Sequence, residues 1–188
     1  MVFDNAVYGL TKAQTSPTSP SGFKTNTHPF GAILEPVNPL TVTLGVTNVS
    51  FVAQVVDWNP PLLYQTLKAA YRHHGTSFVR IIQRCPVFSD SYSKALQNDP
   101  SRFLLLEHPD GIELDPPVLR QFPERRAHDP SDLAGAFQLA LDDTRIPLGL
   151  LYHNPAAPCY EDLSSQGMNM TPEQKLSRFN AVLDRMTI

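Results

Sequence analysis

The sequence predicts an α/β fold built on a parallel sheet. The main observation is a strand, a helix and a second strand in succession: an apolar run at 49–56, a helical pattern at 60–74 that ends at Gly75, and an apolar run at 77–83. Such a strand-helix-strand unit has parallel strands and a right-handed crossover. Ligands of these sheets bind at the carboxyl ends of the strands, and Cys85 follows the second strand at that end.

The first residues predict a strand that ends at a turn. Residues 1–3 are apolar, and Asp4 and Asn5 follow them directly. Because chain termini are usually exposed and polar, we expect the sequence to start within a domain. Residues 14–29 are rich in hydroxyl groups and proline and have no hydrophobic period, so we predict a loop there.

The remaining elements are predicted from caps and periodicity. Asn38 can cap a short helix at 40–45 with Pro39 in its first turn. The region 88–129 reads as irregular, apart from one strand at 103–106. The elements predicted after it are a capped helix at 129–142, a strand at 147–152 and a helix after Thr171.

Composition excludes several classes of protein. A formal net charge of -3 and the absence of any Lys or Arg cluster argue against a nucleic-acid binder. No apolar run approaches the roughly 20 residues of a membrane helix, and no secretory signal is visible, so we expect a cytoplasmic protein. Two cysteines exclude a disulfide scaffold and a metal site of four local thiolates. His28, His73 and His74 show no metal-ligand spacing and are assigned no chemistry.

One segment carries a specific motif. Residues 4–19 read DNAVYGLTKAQTSPTS. This run resembles the end of the thiamine-diphosphate fingerprint in the beta subunits of 2-oxoacid:ferredoxin oxidoreductases. The family's fingerprint begins with Gly-Asp-Gly and closes roughly thirty residues later with an Asn, and only the closing half occurs in this sequence. The resemblance implies the C-terminal part of a thiamine-diphosphate-binding parallel-sheet domain, followed by a C-terminal α+β extension.

The resemblance also implies a magnesium and diphosphate site. The Asn5 side-chain oxygen and the Val7 backbone carbonyl correspond to magnesium ligands, and Gly9 and Leu10 would pass beside the cofactor. Magnesium takes about six hard oxygen ligands, some of them from phosphates, which fits this assignment. The alternative for Asn5 is a turn residue that bonds its own backbone.

The same resemblance assigns catalytic positions to Thr11 and Lys12, near the reacting carbon and the carboxylate of the substrate. A lysine suits that anion electrostatically, although an exposed loop lysine without function is the alternative. Ala13 stands where the family usually has Gly, which matters only if the backbone there has a positive φ.

A second segment, residues 45–88, resembles the same beta subunits. Cys85 and Pro86 match a Cys-Pro whose cysteine is the fourth ligand of a 4Fe-4S cluster in the family, and thiolates are the ligands that such clusters favour. The alternative is a buried unpaired cysteine. Two cysteines cannot hold the cluster, so the other ligands would come from outside this sequence. With the strand at 146–154, the resemblance extends from residue 4 to about 163.

The family implies a role as the beta-subunit part of an enzyme that carries out the coenzyme-A-dependent oxidative decarboxylation of a 2-oxoacid, with electrons passed to ferredoxin. An alpha subunit is the implied partner. The segment 56–59 and the long C-terminal extension favour 2-oxoglutarate over pyruvate. We predict two domains, a truncated thiamine-diphosphate-binding domain at 1–89 and a beta-subunit extension at 90–188. The alternatives are a truncated, non-catalytic relative that acts as an interaction module, and an unrelated α/β binding domain.

Overall fold

A computed structural model describes residues 1–165 and 170–186 of the 188 residues. The chain forms two compact units, Met1–Ala157 and Pro158–Ile188. The described part of the first unit contains six strands and five α-helices. The strands are β1 (Val2–Asp4), β2 (Phe51–Val56), β3 (Ser77–Ile82), β4 (Phe103–Glu107), β5 (Arg125–Ala127) and β6 (Ile146–His153). The helices are α1 (Pro39–Leu44), α2 (Pro60–Arg72), α3 (Asp90–Gln97), α4 (Pro116–Leu119) and α5 (Leu133–Leu141).

The six strands form one sheet in the order β1-β3-β2-β6-β4-β5. All neighbouring strands are parallel except β2 and β6, which are antiparallel. The α/β fold and its largely parallel sheet are therefore confirmed. The direction of β6 is a property that the sequence did not predict.

The predicted strand-helix-strand unit is confirmed. Strands β2 and β3 pair in parallel from Phe51 opposite Ser77 to Val56 opposite Ile82, and α2 connects them. The Asn59 side chain caps α2 by accepting a hydrogen bond from the Leu62 backbone. Every residue of β2 is buried, as expected for a strand covered on both faces.

Strand β1 determines where the predicted site lies. It pairs in parallel with β3, and Asp4 lies opposite Ile82. Both strands therefore end at the same edge of the sheet, which brings the Asp4-Asn5 turn close to the segment that contains Cys85. The predicted strand at 1–3, its turn and the loop at 14–29 are confirmed.

The region 88–129 is not irregular, so that prediction is wrong. It contains α3, α4, β5 and a 3-10 turn at Pro100–Arg102 besides the predicted strand. Helix α3 is short and buries only Ser93 and Leu96, which is too few apolar positions to establish a helical period. Strand β5 is exposed throughout, and only its pairing with β4 makes it a strand.

Two apolar clusters cover the faces of the sheet. Helices α2, α3 and α4 contribute Leu62, Leu96 and Val118 to one cluster, with alternate residues of β2 and β4. Helices α1 and α5 form the other cluster with the intervening strand residues. The first unit is therefore a three-layer α/β/α arrangement. Its single sheet contains strands from both sides of the predicted domain boundary between residues 89 and 90. That boundary stays a prediction.

The described part of the second unit contains two helices, α6 (Tyr160–Ser164) and α7 (Pro172–Met186). The predicted helix after Thr171 is therefore confirmed. The Thr171 hydroxyl accepts a hydrogen bond from the Gln174 backbone, and the Gln174 side chain accepts one from the Thr171 backbone. This reciprocal pattern is a capping box. Among the described residues, no helix has the length and apolar character that crossing a membrane requires.

Candidate functional site

An open cleft of about 650 Å³ lies beside β1 and the loop that follows it. Five of the residues predicted for the cofactor site line this cleft, namely Asn5, Val7, Gly9, Leu10 and Thr11. Its other lining residues are Val2, Phe3, Asp4, Tyr8, Gln14, Ser16, Pro17 and Thr18. The structure therefore brings most of the predicted site together. Lys12 is exposed and is not part of the lining.

The turn after β1 holds two oxygens that suit a magnesium ion. Asn5 Oδ1 accepts a hydrogen bond of 3.1 Å from the Val7 backbone, so the turn role is present. An amide oxygen has two lone pairs, which leaves one for a cation. Among the described residues, none donates a hydrogen bond to the Val7 carbonyl oxygen. The donor set fits magnesium and would supply two of its roughly six oxygens.

A tight hairpin follows this turn. Tyr8 and Gln14 exchange two backbone hydrogen bonds of 2.9 and 3.3 Å, and the Lys12 N-H donates to the Gly9 carbonyl at 3.0 Å. Lys12 and Ala13 have φ of 63° and 65°. Positive φ is the condition under which a glycine at position 13 would matter, so the alanine there carries backbone strain. The Asn26 side chain donates to the Lys12 carbonyl and fixes the hairpin from outside.

A buried polar network anchors the turn, and sequence reasoning missed it. Arg80 Nε and Nη2 donate to Asp4 Oδ2 at 2.9 and 2.6 Å, and Arg80 Nη1 donates to Gln54 Oε1 at 2.9 Å. Gln54 Nε2 donates to the Pro147 carbonyl at 2.7 Å. The network therefore links β1, β3, β2 and β6. Its signal in the sequence is that Gln54 and Arg80 are polar residues within apolar strand runs, where each needs a partner.

Asp4 transmits this anchoring to the turn. Its Oδ1 accepts hydrogen bonds from the Ala6 backbone at 3.1 Å and from the Thr18 hydroxyl at 2.6 Å. Ala6 has φ of 58°, so the Asp4 carboxylate stabilises an unfavourable backbone conformation directly beside Asn5. Burial raises the pKa of the nearby Tyr92 phenol, and the positive charge of Arg80 opposes that effect.

Cys85 lies close to the hairpin. It is buried, and its Sγ would be 3.9 Å from a Cβ placed on Gly9. Ser89 connects this segment to the turn, because its N-H donates to the Cys85 carbonyl at 3.1 Å and its hydroxyl donates to the Asn5 carbonyl at 3.2 Å. The predicted cysteine is therefore adjacent to the predicted cofactor loop. It is the one cysteine of the first unit.

Comparisons with known proteins identify the family. Residues 119–167 match the family model for the C terminus of the pyruvate ferredoxin oxidoreductase beta subunit. A 2-oxoacid:ferredoxin oxidoreductase subunit beta of Sulfolobus sp. is 30% identical over 185 residues, which cover 94% of this chain and 56% of that protein. The chain belongs to the 2-oxoacid:ferredoxin oxidoreductase beta-subunit family. It corresponds to the C-terminal region of these beta subunits.

Other relatives of this member of the beta-subunit family support the same assignment. The 2-oxoglutarate oxidoreductase subunit KorB of Mycobacterium tuberculosis is 39% identical over 99 residues, covering 53% of this chain and 26% of that protein. A solved 2-oxoglutarate:ferredoxin oxidoreductase from Magnetococcus marinus, with 2-oxoglutarate, coenzyme A and succinyl-CoA bound, superposes with a TM-score of 0.67 and 28% identity. That match covers 96% of this chain and 56% of the other. The chain spans about half the length of the curated relatives it matches over most of its own length.

Proposed function

We propose that this chain is part of the beta subunit of a working 2-oxoacid:ferredoxin oxidoreductase, and that it supplies part of the thiamine-diphosphate and magnesium site. The reaction is the coenzyme-A-dependent oxidative decarboxylation of a 2-oxoacid, with electrons passed to ferredoxin. One observation carries the proposal: most residues of the segment 4–18 line a single cleft, and Asn5 and Val7 in its first turn each have an oxygen that can bind a cation.

In this function the turn binds the metal and the hairpin shapes the cleft. Asn5 Oδ1 and the Val7 carbonyl oxygen bind magnesium, while Gly9 and Leu10 lie against the cofactor. Leu10 is 99% exposed, an exposure that a bound cofactor or a partner surface would reduce. Thiamine diphosphate, when bound, supplies the carbanion chemistry that removes carbon dioxide from a 2-oxoacid.

Thr11 and Lys12 contribute at the substrate end of the cleft. Thr11 lines the cleft, and its hydroxyl donates to the Tyr8 carbonyl at 3.3 Å, so the hydroxyl is held on the hairpin. The Lys12 ammonium at the exposed hairpin attracts the carboxylate of a 2-oxoacid, because opposite charges steer a small anion toward a cleft. The Lys12 backbone lies next to the lining residue Thr11 and outside the cleft itself. The lysine side chain is long enough to bring its ammonium group toward the cleft.

Cys85 supplies one thiolate of a 4Fe-4S cluster, and the other three ligands come from outside this chain. The burial of Cys85 next to Gly9 supports this role, because electron transfer would require the cluster to lie close to the cofactor loop. Residues 1–89 then belong to the thiamine-diphosphate-binding domain and residues 90–188 to the beta-subunit extension. The enzyme is completed by an alpha subunit.

We favour 2-oxoglutarate as the substrate over pyruvate. The Mycobacterium relative is a 2-oxoglutarate oxidoreductase subunit, and the superposed Magnetococcus marinus enzyme contains 2-oxoglutarate and succinyl-CoA. Two further relatives, from Archaeoglobus fulgidus and Methanothermobacter marburgensis, are 2-oxoglutarate synthase subunits. Comparison of the rates with 2-oxoglutarate and pyruvate in the assembled enzyme tests this choice.

Calorimetry of magnesium-dependent thiamine-diphosphate binding tests the proposal. Two forms are compared, each co-expressed with an alpha subunit: the chain itself, and the chain preceded by the front half of a beta-subunit relative, which carries Gly-Asp-Gly. We expect binding by the extended form and its loss in Asn5→Ala, while Asn98→Ala, at the end of α3, leaves it unchanged. If neither form binds, the thiamine assignment is wrong and a non-catalytic interaction module remains.

A further inference from the structure

Two histidine rings meet beside the central strands, at the amino end of β2, and neither ring lines the cleft described above. His73 follows α2, His153 is the last residue of β6, and His153 lies opposite Phe51 at the amino end of β2. His73 Nδ1 and His153 Nε2 are 3.1 Å apart, although 80 residues separate the two histidines. Both rings line a separate pocket of about 310 Å³, together with Asp110.

Ser50 fixes the orientation of the His73 ring. The Ser50 hydroxyl donates to the Thr76 carbonyl at 3.1 Å, and the Thr76 N-H donates back to Ser50 Oγ at 3.1 Å. His73 Nε2 lies 2.9 Å from the same oxygen and therefore carries the proton of that contact. The neutral ring then presents the lone pair of Nδ1 toward His153. A hydrogen bond on the second nitrogen, which fixes the tautomer, is the usual support of a metal-binding histidine.

The surroundings disfavour the protonated form of both rings. Burial lowers the pKa of His73, and the neighbouring His153 and His74 lower it further. Burial also lowers the pKa of His153, and the Asp110 carboxylate opposes this effect. Phe51 packs against both rings, with centroid distances of 5.5 and 5.8 Å, and supplies an apolar wall. A neutral imidazole is the form that binds a metal ion.

The distance between the two nitrogens suits a metal ion. Zinc bonds imidazole nitrogen at about 2.0–2.1 Å, so two such ligands at a tetrahedral angle lie roughly 3.3 Å apart. The observed 3.1 Å, across which His153 Nε2 donates a hydrogen bond to His73 Nδ1, is close to that value. We propose that His73 Nδ1 and His153 Nε2, together with the Asp110 carboxylate, bind one divalent transition-metal ion of the zinc type.

Asp110 is the ligand that has to move. Its side chain is 84% exposed, and its one described ion pair is a long contact of 3.8 Å with His108. Little interaction is therefore lost when the carboxylate turns toward the pocket. His153 binds the metal through Nε2 after its proton moves from Nε2 to Nδ1. Two imidazoles and one carboxylate leave a fourth position for water, which is the ligand number of an open zinc site.

Zinc titration by calorimetry tests this site directly. The full chain is used without a polyhistidine tag, and every protein carries Cys159→Ser so that this thiol cannot bind the metal. We expect one zinc ion per chain, and we expect His73→Gln and His153→Gln each to weaken binding by roughly tenfold or more. The absorption spectrum of added cobalt reports the coordination number. His28→Gln, a histidine outside the pocket, is the matched control and keeps the original affinity.

Equal affinity in the parent chain and in both histidine variants overturns the proposal. Circular dichroism shows whether the variants fold. If the histidine variants do not fold, Asp110→Asn tests the site instead, because this variant retains both rings and their contacts with Ser50 and Phe51. We expect Asp110→Asn to weaken zinc binding with an unchanged thermal midpoint in the absence of metal, and an unchanged affinity overturns the site. These measurements involve no thiamine diphosphate, so they are independent of the proposed function.

Discussion

Ala13 occupies a backbone conformation that suits glycine, with φ of 65° in the hairpin beside the candidate site. Left-handed backbone costs a residue with a Cβ roughly 1–2 kcal/mol. We predict that Ala13→Gly raises the free energy of unfolding by about 1 kcal/mol, because the relief of strain exceeds the entropy that glycine adds to the unfolded chain. Urea denaturation measures the change.

Ala95→Gly is the control for this prediction. Ala95 is exposed within α3 and is not among the residues with positive φ, so glycine there is expected to lower the stability by about 1 kcal/mol. Opposite signs for the two variants support the strain at Ala13. A loss of stability in both contradicts it.

Asn38 joins a local cap to a distant contact. Its Oδ1 accepts hydrogen bonds from the Leu40 and Thr41 backbones, and its Nδ2 donates to the Ala140 carbonyl at the end of α5 at 2.6 Å. We predict that Asn38→Ala lowers the free energy of unfolding by about 2 kcal/mol, one part from the cap and one from the distant bond.

Asn38→Ser separates the two contributions, because serine retains a cap but cannot reach Ala140. We expect it to lose about 1 kcal/mol, half of the alanine effect. Thermal and urea unfolding of the three proteins give the comparison. If the serine variant is as unstable as the alanine variant, the cap contributes nothing.

At the scale of the elements, the ion pair between Arg80 and Asp4 couples β3 to the turn after β1. Asp4 is 8% exposed, so removal of its partner leaves a buried carboxylate without a counter-charge. We predict that Arg80→Met lowers the free energy of unfolding by about 3 kcal/mol. The same change is expected to abolish magnesium-dependent binding of thiamine diphosphate in the assembled enzyme, because the turn that carries Asn5 loses its ion pair with β3.

Arg84→Met is the matched control. Arg84 pairs with Asp57 at 3.0 Å, but its side chain is 46% exposed, and solvent screens the interaction. We expect a loss below about 1 kcal/mol. Arg80→Lys retains the charge without the two-pronged contact, so it is expected to recover only part of the stability. Similar losses in the Arg80→Met and Arg84→Met variants would show that the buried network adds nothing.

The predictability of the elements follows their burial pattern. The unit from β2 to β3 was predicted because its strands are continuous apolar runs and its helix has clear caps. Strand β5 could not be predicted, because Arg125, Arg126 and Ala127 are all exposed and have no strand pattern. Pairing with β4 alone gives these residues their conformation.

At the scale of the whole molecule, Met1–Ala157 contains every strand and both apolar clusters that the structure describes. We predict that a chain ending at Ala157 unfolds cooperatively, with a sharp calorimetric transition and native near-ultraviolet circular dichroism. A chain ending at Arg145 lacks β6, which lies between β2 and β4, and is expected to remain unfolded. A broad transition in the longer form would contradict the prediction.

The candidate site was predictable where one stretch of chain builds it. Asn5, Val7 and the residues 9–11 are close in sequence, and a turn and a hairpin bring them to one cleft. The anchoring network and the histidine pair were not predictable, because Asp4 and Arg80 are 76 residues apart and His73 and His153 are 80 residues apart. The register of the strands, and for His73 also the packing of α2 on the sheet, determines which of these distant side chains meet.

The sequence by itself determined the family and the α/β class, because motif residues and apolar periods are local properties, and for the same reason it predicted the residues of the candidate cofactor loop. Tertiary structure decided the antiparallel direction of β6, the positive φ of Ala13 and the meeting of His73 with His153. The physical reason is that apolar periodicity records which residues are buried. It does not record which neighbour each buried residue contacts, because the packing of the whole sheet determines those contacts.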